Sequence, residues 1–577
     1  MPDLTPPALA FEDVSFAYGA LSEQKNPTLN NINLRINRGE CVCLTGPSGC
    51  GKTTLTRLCN GLIPSFYEGS RQGRVLIDGI ELGQWEMDEL CRSVGSVFQN
   101  PRSQFFNLDT TSELAYGCEN LGLARAEILR GVAEAVETLG LQDLLERDIH
   151  DLSGGQRQLL ALGTVCAMGA NIFVLDEPTA NLDAAATQAV KRTLQRLKDL
   201  QKTILIVEHR LHWLDDLVDR VVCMRDGHIA RDWTAQEFAD LPTDTAAGMG
   251  LRRWSLRGLQ FESQLRATPG EAGAGSEDAA GASSEDAAGA SSEDATDTSS
   301  KDAAGASSKN AARDLRPLDI QADGLRAGYR PQEDILKGLS FLATGGHAVA
   351  IIGGNGQGKS TLAQVMAGLI RESYGGISLN ARPLSARSRI GSVYLVLQES
   401  GYQLFGASVR EEFEIGLASP DAGDQAQIAD LIQRFGLSGR EERHPASLSG
   451  GEKQRLAVAV GVHAGARLLV LDEPTSGLDR ANMRRCADEI RRLVQLGCCV
   501  FVITHDAELV AAACDQVIEV ADGRVRSAYD LSDETLPRAL GVLAPGYADD
   551  DVMAAANAPP REAAFGIARQ ASLGIAR

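Results

Sequence analysis

The sequence predicts an α/β protein that carries one folded unit twice in tandem, and three observations predict it. Residues 151–183, DLSGGQRQLLALGTVCAMGANIFVLDEPTANLD, return nearly whole at residues 447–479 as SLSGGEKQRLAVAVGVHAGARLLVLDEPTSGLD. The offset is 296 for Ser153 and Ser449, for Asp176 and Asp472, and for His209 and His505, as expected of a copied unit. Upstream in each copy, an apolar run leads straight into a glycine-rich G-x-x-x-x-G-K-[ST] stretch, which is the strand, loop and helix context of a phosphate-binding loop. At 577 residues the chain is too long for one core, and a prior of ~150 residues per domain gives about four domains or subdomains.

Composition narrows the class. A net charge of −21 with 5% aromatic residues argues against wrapping nucleic acid, whose backbone is held mostly by Lys and Arg clusters. The 12 cysteines form no C-x-x-C pair and no metal-spaced cluster with histidine, so they read as reduced core or surface thiols of a cytosolic chain. The start, MPDLTPPALAFEDVSF, lacks the charged and apolar regions of a signal peptide. Nor does any run reach the ~18 apolar residues that span a bilayer. If the protein serves a membrane process, its membrane-spanning parts are expected to be other chains.

In chain order, LAFEDVSFAYG and LNNINLRINRGE read as short strands with polar turns, and CVCLT as a buried parallel strand. That strand feeds the first cradle: Gly46, Pro47, Ser48, Gly49, Cys50, Gly51, Lys52, Thr53 and Thr54. Its glycines let backbone amides curl around phosphates, the following helix N-terminus favours negative charge, Lys52 reaches the outer phosphates, and the Thr53 hydroxyl can ligate Mg²⁺. The second cradle is Gly353, Gly354, Asn355, Gly356, Gln357, Gly358, Lys359, Ser360 and Thr361. Gln99, in VFQNPRSQFF, and Gln398, in LVLQESGYQLF, follow at matching places, 47 and 39 residues after the cradle lysines. The difference is expected as an extra loop in the first copy, within SFYEGSRQG. Ser153, Gly154 and Gly155 open one helix and Ser449, Gly450 and Gly451 another, and helix N-termini bind anions. The strands NIFVLDEPT and RLLVLDEPT end in Asp176–Glu177 and Asp472–Glu473. The first acid of each pair is placed to hold Mg²⁺ through water, and the second to polarise an attacking water. His209 and His505 end the next strand of each copy. Between the copies, residues 265–313 are Ala, Gly, Ser and acid repeats, expected to be a disordered tether. About 40 such residues would span roughly 35 Å, enough for the copies to face each other. The stretch 544–577 is expected to be loosely ordered.

The ordered set GPSGCGKTT, LSGGQRQ, FVLDEP, NLD and histidine, doubled as GGNGQGKST, LSGGEKQ, LVLDEP, GLD and histidine, resembles the ATP-binding cassette (ABC) ATPases over residues 8–240 and 316–530. The resemblance implies two nucleotide-binding domains, each with a RecA-like core, an antiparallel β subdomain and a helical signature subdomain. It implies ATP and Mg²⁺ as ligands, and a head-to-tail clamp in which Ser449, Gly450 and Gly451 close over residues 46–54 while Ser153, Gly154 and Gly155 close over residues 353–361. By motif, Glu177 and Glu473 would be the catalytic carboxylates and His209 and His505 the switch histidines. Asp183 and Asp479 would be the D-loop residues, and Tyr18 and Tyr329 the aromatics on adenine. Thr53, Gln99 and Asp176, and Ser360, Gln398 and Asp472, would attend the metal. Neither set lacks a member, so both sites are expected to hydrolyse ATP.

Within that family, VFQNPRSQFF, GLIPSFYEGSRQGRVLIDG and IVEHRL resemble the duplicated ATPase of energy-coupling factor transporters, which import vitamins and metal ions. This implies a peripheral subunit on the cytoplasmic face of the membrane. A transmembrane coupling subunit would be received at residues 99–106 and 398–405, with a small substrate-binding membrane protein as further partner. The second copy departs from the pattern, with Glu399 and Ser400 in place of the Asn-Pro pair. Two alternatives compete. A soluble tandem cassette acting on ribosomes or nucleic acid would carry a basic helical linker or zinc-binding cysteine insertions, which are not seen here. A fused sugar-importer ATPase commonly has one weakened site, whereas Glu177 and Glu473 are both present.

Overall fold

The computed structural model describes residues 6–19, 27–262, 319–330, 333–417 and 421–547, so the expected tether at 265–313 and the tail beyond 547 lie outside the described residues. The first half contributes β1 (Leu9–Ala17), β2 (Leu29–Ile36), β3 (Cys41–Thr45), β4 (Ser70–Ile77), β5 (Ile80–Glu81), β6 (Val94–Val97), β7 (Ile172–Asp176), β8 (Thr203–Val207), β9 (Arg220–Arg225) and β10 (His228–Thr234). The second contributes β11 (Ile320–Ala327), β12 (Leu336–Ala343), β13 (Ala348–Ile352), β14 (Tyr374–Leu379), β15 (Arg382–Leu384), β16 (Val393–Val396), β17 (Leu468–Asp472), β18 (Cys499–Ile503), β19 (Gln516–Ala521) and β20 (Arg524–Asp530).

Among the described residues, each half builds two sheets. An antiparallel one runs β2-β1-β4-β5, matched by β12-β11-β14-β15, and a mostly parallel one runs β10-β9-β3-β8-β7-β6, matched by β16-β17-β18-β13-β19-β20. The central strands CVCLT, TILIV, AVAII and CVFVI are buried at every position. Parallel strands covered on both faces need such continuous apolar runs, and these residues supply them. β2, by contrast, alternates, burying Leu29, Ile32, Leu34 and Ile36 and leaving the positions between them at the surface.

The cradles sit where β3 and β13 end, the usual ligand position at the carboxyl edge of an open α/β sheet. There Gly46 and Gly353 take φ values of 140° and 146°. A Cβ would lie 2.1 Å from the Met224 carbonyl oxygen at Gly46 and 2.1 Å from the Val520 carbonyl oxygen at Gly353. Only glycine lets these turns press so close to β9 and β19.

The eight residues by which the first cradle-to-glutamine segment is longer are not one loop within SFYEGSRQG. Lys52 to Ser70 spans 18 residues against 15 from Lys359 to Tyr374, and Ile77 to Val94 spans 17 against 14 from Leu379 to Val393. These two connections hold six of the eight extra residues and the other two lengthen the strand itself, β4 having 8 residues against 6 in β14; β4 keeps its register with β1 while the connections on either side lengthen.

Past residue 240 the first half continues. Leu251 lies in the first half's core, whereas Leu256 lies in the second half's core, with Leu259 and Phe261 packed against it. The chain therefore crosses from one half to the other at residues 251–256. In return, Leu536–Leu543 packs on the second half, and Tyr547 beyond it donates its hydroxyl to the His212 carbonyl and to Asp215 Oδ2 of the first. Ala544 to Tyr547 are thus packed, although the sequence suggests looseness from 544 onward. All twelve cysteines are free thiols.

Candidate functional site

Each site is assembled from a loop after one strand and a carboxylate pair after another. Lys52 Nζ donates to the carbonyls of Gly46 (2.9 Å) and Pro47 (3.0 Å), and Lys359 Nζ to those of Gly353 and Gly354 (both 2.8 Å). Each lysine is buried, held over its own loop by that loop's carbonyls. Gly51 and Gly358, both left-handed, let the chain turn abruptly into the helices Lys52–Cys59 and Lys359–Met366.

Asp176 ends β7, and the Thr53 hydroxyl donates to its Oδ2 at 3.4 Å; Ser360 bonds Asp472 in the same way. A hydroxyl beside a carboxylate is a hard-oxygen set suited to Mg²⁺, which keeps most of its shell for phosphates and water. Among the described residues there is no group of three or more His, Cys, Asp or Glu that could hold a metal ion.

Glu177 and Glu473 follow with φ of 47° and 49°, a left-handed conformation that costs a glutamate ~1–3 kcal/mol. Both halves hold it with the same bond, from the Glu177 amide to the Val207 carbonyl and from the Glu473 amide to the Ile503 carbonyl, each 2.9 Å. The twist turns both carboxylates toward the two histidines: His209 Nε2 lies 3.5 Å from Glu177 Oε1, and His505 Nε2 lies 3.5 Å from Glu473 Oε1. Burial pushes the carboxyls of Glu177 and Glu473 up to about 8, and neighbouring Glu208 and Asp176 add to the effect at Glu177. Burial also lowers His209 to about 3 and His505 well below its usual value, so both imidazoles are neutral at pH 7.

The two glutamines differ. Gln99 Nε2 donates to Glu177 Oε2 of its own half at 2.7 Å, whereas Gln398 Nε2 donates to Asn181 Oδ1 of the opposite half, also at 2.7 Å. The cause is one repeat position: Asn181 in the first copy is Gly477 in the second. A Cβ at Gly477 would lie 2.6 Å from Glu177 Oε2 and 2.7 Å from Gln99 Nε2.

The halves meet at the cradles. Asp479 Oδ1 accepts the Asn482 amide (2.8 Å) and caps its own helix Arg480–Gln495, while Oδ2 accepts the Ser48 amide of the first cradle (2.6 Å). Asp183 does the same in reverse, with the Ala186 amide at 2.8 Å and the Asn355 amide of the second cradle at 2.6 Å. Burial would raise the Asp479 carboxyl, but the two amides outweigh it and hold it below the usual range.

Ser153 and Ser449 cap their own helices, Gly154–Ala167 and Gly450–His463, in reciprocal boxes with Gln156 and Glu452. Gly154, Gly155, Gly450 and Gly451 form the first turns of these helices. Tyr18 is half-buried, its hydroxyl 3.2 Å from Thr54 Oγ1 and accepting from Arg57 (2.9 Å); Tyr329 is exposed.

Sequence reasoning missed Glu113 and Glu412. Each is buried, and its Oε2 gathers the amides behind the glutamine loop: Phe106 (3.1 Å) and Asn107 (2.8 Å) in one half, Phe405 (2.8 Å) and Gly406 (2.6 Å) in the other. The clamps hold Phe106 at 72% exposure and Phe405 at 79%. The repeat itself was the available signal, since both acids lie seven residues after these phenylalanines. The missing Asn-Pro pair leaves the second loop intact: Gln403 Oε1 accepts the Leu397 amide (2.7 Å), as Gln104 accepts that of Phe98 (3.2 Å).

Two lysine-bearing cradles at sheet edges, each faced by a carboxylate pair, a neutral histidine and an aspartate from the other half, define a doubled P-loop nucleotide-binding protein. The family model described as ABC transporter matches residues 29–180 and 336–476, and the chain belongs to that family, whose ATPase domains bind and hydrolyse ATP, generally with Mg²⁺. A Treponema denticola protein named "Putative ABC transporter ATP-binding protein" is 38% identical over 517 residues, covering 90% of this chain and 96% of the relative. "Putative HMP/thiamine import ATP-binding protein YkoD" of Bacillus subtilis is 31% identical over 526 residues, 89% of this chain and 90% of the relative. The solved structure of cbiO1 from Clostridium perfringens, titled as part of the ABC transporter complex cbiONQ, aligns with a TM-score of 0.37 and 30% identity over 41% of this chain and 92% of that one. No helix among the described residues is long and apolar enough to cross a membrane.

Proposed function

We propose that this chain is the ATP-hydrolysing subunit of a membrane importer. Two composite ATP sites between its halves would drive uptake of a vitamin or metal ion through separate membrane subunits, from the cytoplasmic face. The observation that carries the reading is the reciprocal pair of bonds from Asp479 to the Ser48 amide and from Asp183 to the Asn355 amide. Each half reaches into the other's phosphate cradle, as a head-to-tail clamp requires. The import sense draws on the name of the Bacillus subtilis relative. The membrane partner is suggested by Phe106 and Phe405, which two buried glutamates hold at the surface beside the glutamines. Leu108 beside Phe106 and Tyr402 beside Phe405 are exposed as well, and grouped exposed apolar side chains mark an interaction site.

ATP with Mg²⁺ supplies the electrophilic γ-phosphate and the charge that offsets its negative oxygens. The chain's own residues do the rest. Lys52 and Lys359 exchange their loop carbonyls for phosphate oxygens. Thr53 with Asp176, and Ser360 with Asp472, would hold the metal's shell, and Tyr18 and Tyr329 would lie against the adenine. Glu177 and Glu473, as carboxylates, take up proton density from the attacking water. Gln99 and Gln398 orient that water, and the neutral His209 and His505 donate toward the γ-phosphate. The capped N-termini at Ser153, Gly154 and Gly155 and at Ser449, Gly450 and Gly451 close over the opposite cradles.

Two measurements test this. Glu177→Gln or Glu473→Gln alone should leave turnover at one site, and the double variant should retain ATP binding with almost no hydrolysis; undiminished hydrolysis in the double variant would sink the site assignment. Purification of the tagged chain from mild-detergent extracts of a native-like host should recover a multi-helix membrane subunit and a small membrane protein. Recovery of ribosomes instead, or of the chain alone, would overturn the importer reading.

A further inference from the structure

The segment that leaves the first half and enters the second carries a charge that the site described above does not use. Arg252 lies between Leu251 in one core and Leu256 in the other and is 2% exposed. Its guanidinium is spent wholly on the second half: Nη2 donates to Asp506 Oδ1 at 2.5 Å, Nε to Glu508 Oε1 at 2.9 Å, and Nη1 to the Leu478 carbonyl at 3.3 Å.

These acceptors are not scattered. Asp506 follows the switch histidine His505 directly, caps the helix Ala507–Ala513 through the Glu508 and Leu509 amides, and accepts the Thr475 hydroxyl at 2.7 Å. Thr475 is two residues past Glu473. One carboxylate therefore joins the loop of the switch histidine to the loop of the catalytic carboxylate, and Arg252 neutralises it. The matching first-half positions are Arg210 and His212, a cation and a neutral ring, so the acids occur in the second half alone. Arg210 there takes a different route, donating to the Thr179 carbonyl.

We propose that Arg252 is a positioning residue for the second ATP site, through which the first half's crossing segment sets the placement of His505 and Glu473. This rests on the hydrolytic roles given to Glu177 and Glu473. Two short, buried, charge-assisted bonds outweigh the single longer bond to a neutral D-loop carbonyl, so the effect falls mainly on the site of Glu473 rather than on the cradle that Asp479 touches. Burial alone would push Asp506 up, but Arg252, with smaller help from the Thr475 hydroxyl and Arg210, holds it below the usual carboxylate range. The acid thus stays charged, and its removal or neutralisation would free both loops.

The test places Arg252→Lys, which keeps the charge and loses the fork, in two backgrounds. With Glu177→Gln only the second site turns over, and there Arg252→Lys should lower kcat about tenfold while the KM for ATP changes less than twofold. With Glu473→Gln only the first site turns over, and there kcat should stay within twofold. Equal loss in both backgrounds, or a lowered Tm with kcat intact in both, would overturn the proposal. Should Arg252→Lys fold poorly, the triple variant Arg252→Met, Asp506→Asn, Glu508→Gln removes the buried charges together and should show the same one-sided loss; one-sided loss absent there also overturns it. If the doubly Gln-substituted chain still hydrolyses ATP, the catalytic assignment has failed instead, a result separable from any effect of Arg252.

Discussion

At the level of single residues, the site couples strain to desolvation. Glu177 and Glu473 adopt left-handed backbones that point largely desolvated carboxylates at neutral histidines, and that desolvation raises both to about 8. The folded chain therefore binds more protons than the unfolded one between the unfolded value of 4.5 and about 8. Stability from these groups is full below that window and is lost as pH rises through about 8. Replacing either with Gln should raise Tm at pH 8.5, by about 2–4 °C for each ~1 kcal/mol removed, with little change at pH 4; thermal melts across pH check this. Activity should run the other way: kcat/KM, which reports the free protein, should rise up to about pH 8 as the carboxylates ionise and then level off, in steady-state assays from pH 6 to 9. That these residues would come together was readable from motif order, but the strain and desolvation were not. Both follow from which strand carbonyl receives the glutamate amide, a tertiary fact.

At the level of loops and helices, the doubled motifs were legible because each fixes its own local geometry. Ser153 and Ser449 announce capped helices, and CVCLT and AVAII announce strands covered on both faces. What sequence could not show was how D-loops meet glutamines across the halves. Gly477 leaves Gln99 to its own Glu177, while Asn181 captures Gln398. Gly477→Ala should therefore force Glu177 and Gln99 apart, adding strain at φ 67°. Measured with Glu473→Gln, the remaining hydrolysis should fall at least tenfold, while Asn181→Ala with Glu177→Gln should cost the other site less. The buried clamps Glu113 and Glu412 escaped notice because an isolated acid in a helix usually faces water. Glu113→Ala would leave the Phe106 and Asn107 amides without their buried acceptor, at a cost of about 1–3 kcal/mol. Capture of membrane partners should fall further than ATPase activity, as pull-down and turnover assays can compare.

At the level of the molecule, the halves are joined by more than connecting chain. The aspartate–cradle bonds, the burial of Arg252 among second-half acids and the Tyr547 contact with Asp215 all cross between them. Residues 1–262 and 313–577, co-expressed as separate chains, should copurify, and Asp183→Ala with Asp479→Ala should weaken their association measurably by sedimentation. The duplication and its offset of 296 gave the architecture away in advance, yet the crossing at residues 251–256 carried no motif, since its meaning lies in which core each leucine enters. A further consequence follows from the way Asp183 and Asp479 divide their two oxygens between halves. The copies are not equivalent, with Glu208 standing before His209 and Thr504 before His505. Pairing inside one chain gives every molecule one site of each kind, a ratio that two separately encoded subunits would reach only by sorting. A mutation in either copy is thus never diluted by an unaltered twin: each molecule translated from that allele inherits the same single lesion.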